Sequence, residues 1–199
     1  MRKDTTGKVE RMSPSAAPPT SRINPIAVEA LTDEQKSKMG GWDELHFNRV
    51  MMRSPRLFDV VLPLITKVVA QSELPSHDRQ VLILRTCALT GEVYEATHHV
   101  LISHAAGLSD DEIQAARTGV GLSPIHQLLA RAAEELVSDF TVSDETWKAL
   151  ADHYSATELM EVVGLVGAYT TMAMLTRALG IQLEDEETMK SFIALRQYV

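Results

Sequence analysis

His77-Asp78-Arg79-Gln80-Val81-Leu82-Ile83-Leu84-Arg85, then Leu89-Thr90-Gly91, then Glu92-Val93-Tyr94-Glu95-Ala96-Thr97-His98-His99 are the stretches that decide the fold. Between His77 and Leu89 the apolar residues Val81, Leu82, Ile83, Leu84 and Leu89 fall on almost every side of a helix. Such a helix must be buried on several sides, so this segment predicts a central element, broken at Gly91. A second helix is predicted from about Glu92 to Ala106, where Gly107 suits the left-handed residue that follows a helix end.

Helix signals continue on both sides. Upstream, Leu57, Val60, Val61, Leu64, Ile65, Val68 and Val69 recur at the three-and-four spacing of one buried face, with Pro63 either kinking that helix or marking its start. Downstream, Ser109 to Glu112 and Ser155 to Glu158 are capping boxes, and Ser123-Pro124 and Ser143-Asp144 open two further helices. The longest helix is predicted over Thr157 to Leu179, apolar on nearly every face and ended by Gly180, which implies burial by its own domain and by a partner subunit. No strand pattern or hairpin dipeptide interrupts the series, so the class is all-α. Residues 1–21 hold almost no large apolar side chains and are expected to form a flexible arm, with a single domain over 22–199.

Composition narrows the function. The 199 residues carry 19 Lys and Arg against 27 Asp and Glu, a formal charge of -8, so the global field repels nucleic acid. One cysteine, Cys87, permits no intrachain disulfide and no paired-thiol chemistry within one chain, and the chain is expected in a reducing, cytoplasmic setting. Met1 to Met12 are polar and charged with no apolar core, so no targeting segment is expected, and no run is expected to reach the roughly 18 apolar residues of a membrane span.

At 3.6 residues per turn, Glu92, Glu95, His99 and Ser103 are expected on one face of their helix. A carboxylate beside an imidazole fixes its tautomer and prepares a proton donor or acceptor near neutral pH. The same pair on a solvated face is equally a common surface contact worth a few tenths of a kcal/mol. Glu95-Ala96-Thr97-His98 also fits the Glu-x-x-His pattern of two-metal bundles, but such sites need a second copy and more carboxylates, and Asp43-Glu44-Leu45-His46 is a poor imitation; no metal is expected. Tyr94 and His98, four apart, read as an aromatic contact in the interior or as pocket lining, and Cys87, within an apolar helix, reads as inert.

In their order, these segments, continued by Ala105-Ala106-Gly107-Leu108-Ser109-Asp110-Asp111-Glu112-Ile113, resemble the carboxymuconolactone decarboxylase family, which includes AhpD-like alkylhydroperoxidases. Arg53-Ser54-Pro55 and the Val162 to Gly180 helix are further echoes, so the likeness spans most of Arg22 to Glu184. It implies an AhpD-like helical bundle that assembles as a dimer, trimer or hexamer. In the peroxidase branch a Cys-x-x-Cys followed by His lies downstream of a proton-relaying Glu. Here those positions hold Glu92, Glu95, His99 and Gln80, so the redox thiols are absent and peroxide reduction by that route is lost.

The decarboxylase branch acts without redox cysteines. The resemblance therefore implies a cofactor-free carboxy-lyase acting on a small anionic lactone or ring compound of aromatic catabolism. His99 would be the acid, Glu95 its orienting group and Glu92, with a raised pKa, a second proton carrier. Gln80 would bind substrate oxygen, and Arg79 or Arg85 would hold a carboxylate. Tyr94, His98 and a closing Asp43 to Met52 segment, with Trp42, His46, Phe47 and Asn48, would line the pocket. A related isomerase or hydrolase, or a non-catalytic small-molecule binder, remains an open alternative.

Overall fold

The computed structural model describes residues 16, 18 and 20–196; most of the arm read over 1–21, and the last three residues, lie outside them. The described residues form ten α-helices and a 3-10 turn at Val28–Ala30, with no strand among them. In order they are α1 (Asp33–Met39), α2 (His46–Met51), α3 (Pro55–Ala70), α4 (Ser76–Thr90), α5 (Tyr94–Ala105), α6 (Asp110–Thr118), α7 (Pro124–Asp139), α8 (Asp144–Ala151), α9 (Ala156–Leu179) and α10 (Glu186–Arg196).

α4 is the hub, packed against α5, α6, α7 and α9. Its Val81, Leu82, Ile83, Leu84 and Cys87 are all buried, together with Leu129 and Ala133 of α7 and Val162 and Leu165 of α9. A polar group on this hub needs a buried partner. Asp78 finds two, accepting from the Tyr154 hydroxyl at 2.8 Å and lying 3.0 Å from Nε2 of His126. His126 thus ties α7 to α4.

The helix ends follow local chemistry. Both capping boxes form, Ser109 with Glu112 and Ser155 with Glu158, and Ser123 and Ser143 accept the backbone N–H groups of His126 and Thr146. Gly180 closes α9 at φ 67°, and a Cβ there would stand 2.6 Å from the carbonyl oxygen of Thr20. Both the left-handed backbone and the close approach require glycine.

Two elements depart from expectation. α3 begins at Pro55 and runs through Pro63 instead of starting there. It buries Phe58 and Val61, while Val60 is 66% exposed and Leu57 and Leu64 are 43% exposed, so the predicted face is only partly turned inward. α9 is also long and apolar enough, by length and composition, to cross a membrane, contrary to the sequence expectation. Half of it is buried within the fold, through Leu159, Val162, Leu165, Val166, Tyr169 and Met172, while Met160 and Met174 are exposed.

A second apolar cluster joins the N-terminal helices to α5 and α9 through Met39, Phe47, Met51, Phe58, Tyr94 and Met172. Where it meets the α4-centred core, a cavity of about 280 Å³ opens between α2, α3, α5, α9 and α10.

Candidate active site

α5 supplies one wall of this cavity, and its start is set by a carboxylate. Glu92 lies before the helix and accepts backbone N–H bonds from Tyr94 at 2.9 Å, Glu95 at 2.6 Å and Ala96 at 3.1 Å. The Thr176 hydroxyl adds a fourth, at 2.9 Å. An anion satisfying the open amides of a helix N-terminus is a structural arrangement. Glu92 is therefore spent on capping and is not among the residues lining the cavity, which corrects its expected role as a second proton carrier. Because α5 begins at Tyr94, Glu92 is outside the helix and the expected common face with Glu95 and His99 does not extend to it.

His99, one turn after Glu95, does face the cavity with it. Its Nδ1 lies 2.8 Å from Oε1 of Gln80, which also accepts the Ser103 hydroxyl at 3.2 Å. An amide oxygen only accepts, so the proton is on Nδ1 and the Nε2 lone pair faces the other way. There the Tyr169 hydroxyl stands 2.5 Å from Nε2, its ring edge-on to the imidazole, and a Glu95 carboxylate oxygen is 3.9 Å away. Gln80 thus sits behind the imidazole and fixes its tautomer; it does not line the cavity where substrate oxygen was expected.

Next to this pair is a second buried network. His98 donates from Nδ1 to the Tyr94 carbonyl at 2.8 Å, and its Nε2 lies 3.2 Å from Glu184. The other oxygen of Glu184 accepts from the Tyr94 hydroxyl at 2.5 Å and from the His46 backbone N–H at 2.6 Å. Burial by itself would lower the His98 pKa, but the Glu184 carboxylate, with Glu95 and the Tyr94 carbonyl, outweighs it and raises the value. Burial would likewise raise Glu184, yet His98, Tyr94 and His46 hold it below the usual carboxylate range. The contact therefore favours an imidazolium beside a carboxylate, while burial and Glu184 push the Tyr94 phenol well up.

Of the sequence candidates, Trp42, Asn48, Tyr94, Glu95, His98 and His99 line the cavity. His46 does not; its Nδ1 bonds the Gln182 carbonyl at 2.9 Å and its backbone holds Glu184. The arginines expected to anchor a carboxylate are engaged elsewhere, Arg79 with the Leu74 carbonyl and Arg85 with Glu134 and the Arg117 carbonyl. Cys87 is buried on the far side of α5 beside Glu92, and burial, then Glu92 and Glu95, pushes its thiol well up, away from a reactive thiolate.

Tyr169, Glu184 and Phe192 are the residues that sequence reasoning missed. For Tyr169 a signal existed, since a tyrosine inside an apolar helix needs a partner for its hydroxyl. Glu184 and Phe192 come from the segment after α9, for which no spacing pointed to the site.

The region that holds Gln80, Glu95 and His99 also carries the comparison with known proteins. Residues 55–122 match the carboxymuconolactone decarboxylase family. AhpD-like structures share the fold over nearly the whole chain. An AhpD-core, peroxidase-related protein from Ralstonia eutropha JMP134 superposes with a TM-score of 0.75 at 13% identity, covering 91% of this chain and 98% of its own. A variant of the debrominase Bmp8 in complex with 2,3,4-tribromopyrrole gives 0.67 at 16% identity, covering 89% and 98%. A peroxidase-related protein from Silicibacter sp. TM1040 gives 0.66 at 10% identity, covering 94% and 100%. At these identities the likeness is one of fold. No curated protein sequence matches the chain.

Proposed function

We propose that this protein is a cofactor-free acid–base enzyme that moves a proton to or from carbon in a small ring compound. One observation carries this reading: an imidazole whose tautomer is fixed from behind by Gln80 and whose Nε2 meets the Tyr169 hydroxyl at the wall of a half-open, largely apolar cavity. Nε2 exchanges a proton with Tyr169, and Glu95 beside it balances an imidazolium and is a second proton acceptor. The reaction the family likeness implies, loss of carbon dioxide from a lactone followed by reprotonation on carbon, is of this type, and so is an isomerisation. A neighbour of the same fold holds a small aromatic ring, 2,3,4-tribromopyrrole, which supports a ring-shaped ligand.

Self-association is part of the proposal, supported by the exposed Met160, Val163 and Met174 of α9 and Leu57, Val60 and Leu64 of α3.

The test is incubation with small lactones and cyclic enones in D2O, read by mass spectrometry for deuterium on carbon and by carbon dioxide release. Turnover by the wild type, lost in a folded His99→Ala variant, is expected. A tight ligand complex with neither exchange nor product would instead establish a non-catalytic binder.

A further inference from the structure

The cavity of about 280 Å³ is roughly twice the ~150 Å³ hollow that admits a benzene ring, which sets the ligand at one substituted ring or two fused ones. Five aromatic side chains among the described residues line it: Trp42, Phe47, Tyr94, Tyr169 and Phe192. Aromatic faces concentrated in this way select a flat ligand.

The charge of the wall is as telling as its shape. The ionisable groups of the described lining, besides the two phenols, are Glu95, His98 and His99, with no lysine or arginine among them. His98 is neutralised by Glu184 at 3.2 Å, so it offers no positive charge to a ligand. Nearby cations are engaged outside the cavity, Arg49 with the carbonyls of Ile26 and Glu44, Arg53 with that of Asn24, and Lys38 with Asp59. An anionic ligand would lose its water beside the Glu95 carboxylate with no fixed cation to replace it, a cost that pairing alone offsets. A carbonyl oxygen meets no such penalty and can take a hydrogen bond from the Tyr169 hydroxyl in the wall.

We propose that the cavity selects an uncharged, flat, carbonyl-bearing ring, and that the reaction there is a proton shift within that ring and not the loss of carbon dioxide. This rests on the acid–base reading of His99 and names its substrate class. The Glu95 carboxylate takes the proton from carbon next to the carbonyl. The C–H electron pair becomes a ring double bond, the carbonyl pair moves onto oxygen, and that oxygen takes the proton of the Tyr169 hydroxyl, which Nε2 of His99 positions. Return of the carbon proton at a different ring position, and of the oxygen proton to Tyr169, regenerates Glu95 and Tyr169 and leaves an isomer. No co-reactant is consumed.

The test uses three nearly isosteric flat probes, benzoate, benzamide and benzamidinium, titrated into the full chain by calorimetry at pH 7. Benzamide is expected to bind at least tenfold tighter than benzoate. Glu95→Gln should narrow that gap by tightening benzoate, and so should Thr66→Lys, which sets a cation at an exposed position on the cavity rim. Benzoate binding as tightly as benzamide, benzamidinium binding tightest, or none of the three binding would overturn the proposal. The binding order is read without turnover, so it is separable from the acid–base reading. Deuterium uptake into 2-cyclohexen-1-one, abolished in His99→Ala, would support the proton shift. His99-dependent carbon dioxide release from a carboxylated lactone would overturn the proton shift while leaving the acid–base reading intact.

Discussion

The Tyr169 hydroxyl lies 2.5 Å from Nε2 of His99 although the two residues are seventy positions apart, one on α9 and one on α5. Both side chains are buried and both reach the cavity. The contact links the only imidazole nitrogen not held by Gln80 to a group that itself donates and accepts.

Removing the hydroxyl separates chemistry from packing. Tyr169→Phe keeps the ring that packs edge-on against His99 and deletes the proton path. General acid–base contributions run at about 10²–10⁴-fold, so kcat for deuterium uptake is expected to fall by about 100-fold or more with KM nearly unchanged. The stability loss should stay near ~1 kcal/mol, the net worth of one hydrogen bond, by chemical denaturation. An unchanged kcat would remove Tyr169 from the mechanism.

Gln80 acts through the imidazole and not on substrate. Gln80→Leu leaves the His99 Nδ1–H and the Ser103 hydroxyl without their shared acceptor in a buried place, at a cost of about 1–3 kcal/mol. Gln80→Glu keeps an acceptor but makes it a carboxylate, which favours the imidazolium. The pH profile of turnover and the His99 titration followed by NMR should therefore both move to higher pH in Gln80→Glu. A profile that does not move would mean that Nδ1 is not coupled to the working nitrogen.

How much of this was legible in the sequence depends on how local each feature is. Ser109 with Glu112 and Ser155 with Glu158 close within one turn, so their spacing alone located two helix starts. Glu95 and His99 are one turn apart, and the 3.6-residue period placed both at the cavity. The same period failed for Glu92, because it applies only inside a helix and α5 begins two residues later. Apolar spacing marked α3 as amphipathic, but spacing does not say which side meets the protein, and Val60 proved exposed. The partners of His98 and His99, Glu184 and Tyr169, arrive from distant segments, which only the tertiary fold brings together.

The His98 and Glu184 contact makes part of the stability depend on pH. His98 is raised in the fold, so its contribution is complete below its ordinary value of 6.5 and is lost as pH climbs through the raised one. Glu184 is lowered, so its contribution is complete above its ordinary 4.5 and is lost as pH falls through the lowered one. Both hold together between these two ordinary values, and stability is expected to decline on either side. Glu184→Gln removes one charge of a buried pair and should cost about 3 kcal/mol within that window, with a smaller difference from wild type at pH 9. Guanidinium unfolding across pH 4 to 9 checks this, and a pH-independent difference would mean that the pair is not ionised.

Glu92 and Glu95 are three residues apart, but one is bound to backbone and the other lines the cavity, so their substitutions should divide cleanly. Glu92→Ala takes the carboxylate from three helix amides and from the Thr176 hydroxyl. Loss of a capping group costs about 0.5–2 kcal/mol, and the buried site places Glu92 at the upper end of that range. Turnover per folded molecule should change little, because no atom of Glu92 faces the ligand space. Glu95→Gln, with the same number of heavy atoms retained, should leave unfolding nearly where it was while kcat falls by about 10²-fold or more. Denaturation curves and turnover measured on the same two preparations decide the matter. If Glu92→Ala lost activity without losing stability, the carboxylate would belong to the proton path after all, and the division between cap and base at the start of α5 would be wrong.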